Sequence, residues 1–175
     1  MRKTTNSKRI GVSLDSEIED SYCMYMSLLK YLTLDTVTPD LKGTNKQEII
    51  EELLDIICRS GKVKDRKAAL DAILARENKM STGMENGIAI PHGKTDAVEE
   101  LLACVGISKH PVEFNSLDGK PCRIFIMTVS PNHRTGPHIQ FLSEISTLLR
   151  SESKRNRLLE AKDAKTILQI LAERP

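Results

Sequence analysis

The chain has 175 residues, 39% hydrophobic and 29% charged, the balance of an ordinary globular protein of single-domain size with one substantial core. Lys plus Arg number 26 against 24 Asp plus Glu, a formal charge of +2, so the basic excess that marks a nucleic-acid binder is missing. Aromatic residues are 3% of the chain and Trp is absent, which leaves little surface for stacking bases or sugars.

The four cysteines, Cys23, Cys58, Cys104 and Cys122, are widely spaced and form no Cys-x-x-Cys pair. Three sit in apolar stretches, where a free thiol behaves as a small hydrophobe. No secretory signal is visible at the N-terminus, and no run of 18 apolar residues offers a membrane span. The expectation is a reducing compartment, the cytoplasm, with free thiols and no membrane insertion.

In chain order, residues 1–20 are polar and aperiodic, and residues 1–25 are expected to form a flexible extension ahead of a single domain over 26–175. Tyr22 to Leu34 suits a helix lying on the core, and Met24 or Met26 at its start offers an alternative translation start. Thr36 to Leu41 predicts a first strand, which Pro39 confines to a sheet edge or a strand end. Thr44 with Gln47 three residues on reads as a capping box, followed by Ile49, Ile50, Leu53, Leu54 and Ile57 at helical spacing and by Gly61 as the stop. Asp65 caps a second helix with Leu70, Ile73 and Leu74 on its buried side.

Residues 81–94, STGMENGIAIPHGK, then give a glycine-bearing loop, a short apolar strand and Pro-His-Gly. Leu101 to Ile107 and Cys122 to Val129 read as buried strands, with a short strand at Val112 to Phe114 and a turn at Leu117 to Lys120 between them. Pro137 and His138 open a helix carrying Ile139, Leu142, Ile145, Leu148 and Leu149, and two short helices follow around Leu158 and from Asp163 through Leu171. The basic run Arg150, Lys154, Arg155 and Arg157 reads as a solvated helix face. Near-continuous apolar strands alternating with helices predict an α/β fold, a mixed sheet sandwiched between helices.

His92 follows Ile88-Ala89-Ile90-Pro91, where a buried strand emerges, and strand ends are where α/β sheets place ligands. Pro91 restricts the backbone, Gly93 leaves room beside the imidazole, and the loop before it can turn amides toward an anion. Read alone, His92 also fits a structural histidine capping a strand.

The stretch LAREN through STGMENGIAIPHGK resembles the phosphorylation-site motif of enzyme IIA of the bacterial phosphotransferase system, fructose/mannitol class, with its nitrogen-regulatory branch the most alike. The likeness continues through PVEFNSLDGKPCRIFI and GPHIQFLSEISTLL, and covers about Met26 to the end. The resemblance implies a phosphotransferase, a phosphohistidine carrier that needs no cofactor and takes its phosphoryl group from the carrier HPr or a nitrogen-branch counterpart. It implies His92 as the phosphorylated nucleophile, with His138 and Arg76 as the other catalytic positions. The recipient is then an enzyme IIB cysteine, in sugar transport, or a regulated protein; the chain holds no enzyme IIB or membrane domain, so the acceptor is expected to be a separate protein. The regulatory output is the preferred reading, the transport relay the alternative, and a binding module that never carries phosphate a third.

Those roles make chemical sense. Phosphoryl transfer runs through a loose in-line transition state, so positioning and charge stabilisation do most of the work. Arg76 offers a permanent bidentate cation, although a surface arginine ending a helix fits its position as well. His138 near a helix start can donate to a phosphate oxygen or simply cap the helix. Ser81, Thr82 and Gly83 are phosphate-binding candidates, with turn formation as the other explanation of the hydroxyls. Met84-Glu85 departs from the small turn of the family, and a carboxylate facing the pocket would weaken anion binding. His110 and His133 read as surface residues. His133 and His138 have zinc-like spacing but no paired cysteines, so no metal is expected.

Overall fold

The structure is a computed structural model that describes residues 28–173. The expected extension over 1–25, the methionines Met24 and Met26, Cys23 and residues 22–27 of the expected Tyr22 to Leu34 helix lie outside the described residues.

After a 3-10 turn at Leu34–Thr36 come β1 (Val37–Leu41), α1 (Lys46–Cys58), α2 (Arg66–Lys79), β2 (Ile88–Ala89), β3 (His92–Lys94), β4 (Leu102–Val112) and β5 (Cys122–Ser130), then α3 (Thr135–Leu148), α4 (Glu152–Glu160) and α5 (Ala164–Ala172). The sheet is mixed. β1 runs parallel to β4, β4 antiparallel to β5, and β2 and β3 share the far edge of β5, both parallel to it. Pro39 lies in β1 at the sheet edge, where a missing N–H is tolerated.

β5 shows why its sequence reads as one apolar run. Phe125, Met127 and Val129 face α1 and α2, packing with Ile50, Leu53, Leu54 and Ile73, while Ile124 and Ile126 face Phe141, Ile145, Leu158 and Ile167 of α3 to α5. Both faces of the sheet are covered, so alternation of polar and apolar residues disappears. The expected α/β sandwich is the fold observed. No helix among the described residues is long and apolar enough to cross a membrane.

Several local expectations shift. The cap of α1 is Asn45, whose side chain accepts from the Glu48 N–H, while the Glu48 carboxylate accepts from both the N–H and the hydroxyl of Thr44. Asn is among the strongest N-caps, so the cap sits one residue later than Thr44 and Gln47 suggested, and Glu48 reaches back to Thr44 rather than closing a reciprocal box on Asn45. Asp65 caps α2 as expected, accepting from Ala68 N–H. The innermost face of α2 is Ala69, Ile73 and Glu77, with Leu70 and Leu74 half-buried beside it. The strand expected over 101–107 runs on as β4 to Val112, with a register shift before Val112, and Glu113 and Phe114 of the expected second strand lie outside it. α3 begins at Thr135 and buries His138, Phe141, Ile145 and Leu148, a single stripe at helical spacing that turns Ile139 outward, 60% exposed.

The basic run is a solvated face only in part: Arg150 and Arg157 are exposed, whereas Arg155 is half-buried and Lys154 is buried. Lys154 Nζ donates to the Glu173 carbonyl, Arg155 donates to the carbonyls of Leu149 and Arg150 just past α3, and Arg157 pairs with the Glu173 carboxylate. These side chains fasten α4 to the end of α3 and to the chain after α5, satisfying carbonyls that helix ends leave open.

Candidate functional site

The site is built on an interrupted strand. Ile88 and Ala89 pair with Ile124 and Phe125 of β5, and pairing resumes when His92 meets Thr128. Pro91 has no N–H to donate and sits in the gap, where its carbonyl accepts from Thr128 N–H. The break frees the Ile90 carbonyl, which lies 2.8 Å from Nδ1 of His92. A carbonyl only accepts, so Nδ1 carries the proton and Nε2 is left with its lone pair.

Gly93 sets the distance to α2: a Cβ there would come within 2.9 Å of the Ile73 nitrogen. Strand alternation then directs His92 and Lys94 away from α2 and toward α3. The result is a cleft of about 390 Å³ between Ala72, Ala75, Arg76 and Lys79 of α2, His92 to Lys94 of β3, and His138 of α3. Arg76 is half-buried on the last turn of α2 and donates one Nη1–H to the Met80 carbonyl at 2.8 Å. His138 is only 6% exposed; its Nδ1 is 2.8 Å from Ser130 Oγ, and its ring centroid is 5.4 Å from that of His92. Three of the sequence-derived candidates, His92, Arg76 and His138, thus line one cleft.

Electrostatics make both rings neutral and the cleft attractive to anions. Burial lowers the His92 pKa and the Arg76 charge lowers it further, against the raising effect of the Ile90 carbonyl. Burial, followed by the neighbouring His92 and Lys94, brings His138 down to about 4. Arg76, Lys79 and Lys94 supply positive charge, and among the described residues no carboxylate lines the cleft. Lys94 Nζ is steadied by Thr135 Oγ1 at 2.6 Å.

Ser81, Thr82 and Gly83, the phosphate-binding candidates, do not line this cleft. The Thr82 N–H and hydroxyl both donate to the buried carboxylate of Glu77, which also accepts from Lys46 Nζ at 2.6 Å. Ser81 donates to the Phe114 carbonyl, and Gly83 bridges Ala89 while packing against Ser116. The loop does turn an amide and a hydroxyl onto an anion, but that anion is the protein's own Glu77. Glu85 is exposed and Met84 packs against the apolar cluster on the α3 side of the sheet; neither lines the cleft. His110 and His133 are exposed, as read.

Lys79, Lys94 and Ser130 were not singled out from the sequence. Lys94 had a signal, since it follows Pro-His-Gly directly and shares a strand face with His92. Lys79 stands one helical step beyond Arg76. Ser130 had only its place as a hydroxyl closing an apolar strand.

Residues 30–174 match the family model described as phosphoenolpyruvate-dependent sugar phosphotransferase system, EIIA 2. The chain is 39% identical over 140 residues to the fructose-specific EIIA component of Haloferax volcanii, which covers 80% of this chain and 91% of that protein. It is 37% identical over 146 residues to the fructose-specific EIIABC component of Bacillus subtilis, covering 83% of this chain but only 23% of that longer protein. Among solved structures, the nitrogen regulatory protein IIA-Ntr of Neisseria meningitidis superposes with a TM-score of 0.76 at 27% identity, over 81% of this chain and 97% of that one. The likeness therefore runs to both branches, with the fructose components ahead in identity.

Proposed function

The chain belongs to the phosphoenolpyruvate-dependent sugar phosphotransferase system EIIA 2 family, and on that premise we propose that Nε2 of His92 is the atom that takes the phosphoryl group. The family role is that of a phosphocarrier. The observation that carries the assignment to His92 is the Nδ1–H bond to the Ile90 carbonyl, which leaves Nε2 unprotonated beside three cations.

The transfer balances as follows. The Nε2 lone pair forms a bond to phosphorus while the P–N bond of the donor's phosphohistidine breaks, and its electron pair leaves with the donor nitrogen. The His92 ring then carries positive charge, and the Ile90 carbonyl accepts a stronger hydrogen bond from Nδ1–H. Arg76 and Lys94 face the charge spread over the equatorial oxygens, and His138 supplies an uncharged donor. The onward step reverses these roles.

The proposed donor is an HPr-type carrier, with 26–175 as the working domain and the cytoplasm as its place. For the recipient we propose a regulated protein, a reading that the likeness to IIA-Ntr supports. The two fructose components, at 39% and 37% identity, favour a second reading, relay to an enzyme IIB cysteine. The test is incubation with phosphoenolpyruvate, enzyme I and HPr, followed by intact mass. The parent should gain one acid-labile phosphoryl group and His92→Ala none; a His92→Ala protein that gains it overturns the assignment. Adding enzyme IIB to the labelled protein then separates relay, which empties the label, from regulator, which keeps it.

A further inference from the structure

His138 is held from behind by a residue the transfer chemistry does not touch. Ser130 closes β5 and is fully buried, at 0% exposure. Its backbone is already fixed: it stands opposite Lys94 in the β3–β5 register, and its carbonyl accepts from Thr95 N–H. Alternation along β5 places its side chain, like that of Thr128, on the α3 face of the sheet. There Ser130 Oγ meets Nδ1 of His138 at 2.8 Å, leaving the opposite ring edge, with Nε2, toward the cleft.

A neutral imidazole has one N–H, so the contact admits two arrangements. If Nδ1–H donated to Oγ, the lone pair of His138 Nε2 would face the lone pair of His92, and later the oxygens of a phosphoryl group. If the hydroxyl donates to Nδ1, the His138 proton is on Nε2, where an anion on His92 can accept it. The second arrangement satisfies both groups, and the rings at 5.4 Å centroid separation are close enough for it to matter.

We propose that Ser130 is a positioning residue for phosphoryl transfer, whose hydroxyl locks His138 as the Nε2–H tautomer and makes it a preorganised, uncharged donor to the phosphoryl oxygens on His92. This rests on the reading of His92 as the phosphorylated residue. Removing the partner that orients a metal-ligating histidine costs on the order of 10–100-fold in metal affinity or activity, and an effect of that order is expected here.

The experiment has two arms on the full chain. Long-range proton–nitrogen NMR of the unphosphorylated parent at neutral pH should show protonated Nε2 and unprotonated Nδ1 for His138; the reverse overturns the proposal without need of any variant. Ser130→Ala should lose this single tautomer and accept phosphate 10–100-fold more slowly at an unchanged melting point, with Ser130→Thr restoring both readouts. A parental rate in Ser130→Ala overturns the role alone. Failure of the parent to gain a phosphoryl group overturns the carrier reading and the role with it, and the tautomer spectrum keeps the two failures apart.

Discussion

A Cβ placed on Gly93 would lie 2.9 Å from the backbone nitrogen of Ile73 and 3.1 Å from the carbonyl carbon of Ala72, so β3 and α2 touch backbone to backbone. That contact brings Arg76, one turn further along α2, to the cleft that His92 lines. Gly93→Ala must push strand and helix apart, and overpacking of this kind costs about 1–3 kcal/mol. We expect a lowered melting point together with slower phosphoryl acceptance. Gly136 in the first turn of α3 has nothing within 4 Å of its would-be Cβ and serves as the control. Gly136→Ala should be neutral or stabilise by up to about 1 kcal/mol. Equal melting points for the two variants would show that the close approach is not a constraint.

The helices, the buried strands and the sandwich were legible because apolar periodicity and caps act within a few residues of chain. His92 was legible for the same reason: Pro91 and Gly93 bracket it locally. The internal partners of the Thr82 and Ser81 hydroxyls were not legible, because a glycine-bearing loop looks alike whether it cradles an outside anion or an inside one. Glu77, the inside anion, sits on a helix five residues before Thr82 with nothing local to mark it as buried. The burial of Lys154 was no more legible, since its partner, the Glu173 carbonyl, is reached only once α4 and α5 fold together. The Ser130–His138 contact depends on the register of β5 against the start of α3, which no pattern within either element encodes.

Glu77 braces the loop that leads into β2. It is 6% exposed and accepts from Lys46, from the Thr82 hydroxyl and from the Thr82 N–H. Burial alone would raise its pKa, but these donors outweigh burial and hold it below the ordinary value. Glu77→Ala leaves a buried N–H unpaired and takes from Lys46 its carboxylate, leaving it the Ser81 hydroxyl and the Phe114 ring. Removing one partner of a buried pair costs about 3–5 kcal/mol, and the partial exposure of Lys46 argues for the low end. Denaturant unfolding measures this; a loss under about 1 kcal/mol would mean water replaces the carboxylate.

Acid should weaken the fold through the histidines before it reaches the carboxylates. His138 binds a proton near 6.5 when unfolded and near 4 when folded, because the ring is buried next to His92 and Lys94. Between these values the unfolded chain holds more protons, so stability is fully present above pH 6.5, falls as pH drops toward 4, and levels off below. The shift corresponds to roughly 3 kcal/mol at most, and His92, lowered in the same sense, adds to the same window. Unfolding free energies at pH 7 and pH 5 should differ clearly in the parent and by less in His138→Gln. An equal pH dependence in both would place the titration elsewhere. By the same sign, phosphoryl acceptance should hold to more acid pH than for an ordinary histidine, since burial and the Arg76 charge lower the His92 pKa.

Arg76 acts on two targets at once, and that makes it hard to replace. One Nη1–H goes to the Met80 carbonyl and ties off the end of α2; the guanidinium has four further N–H donors in a fixed fork for an anion in the cleft. Lysine carries the same charge, but its ammonium sits at one point. It can stay at Met80 or reach into the cleft, and cannot present a planar pair of donors to phosphoryl oxygens in either place. Removing a preorganised donor from a transferring group costs on the order of 10²–10³ in rate, so Arg76→Lys should slow acceptance toward that range. Its effect on stability should stay near 0.5 kcal/mol, as for other residues not packed in the core. Stopped-time phosphorylation assays and thermal melts on the same samples decide the matter. A parental rate would remove Arg76 from the transfer chemistry, whereas a slow rate with a collapsed melting point would assign it to the end of α2 instead.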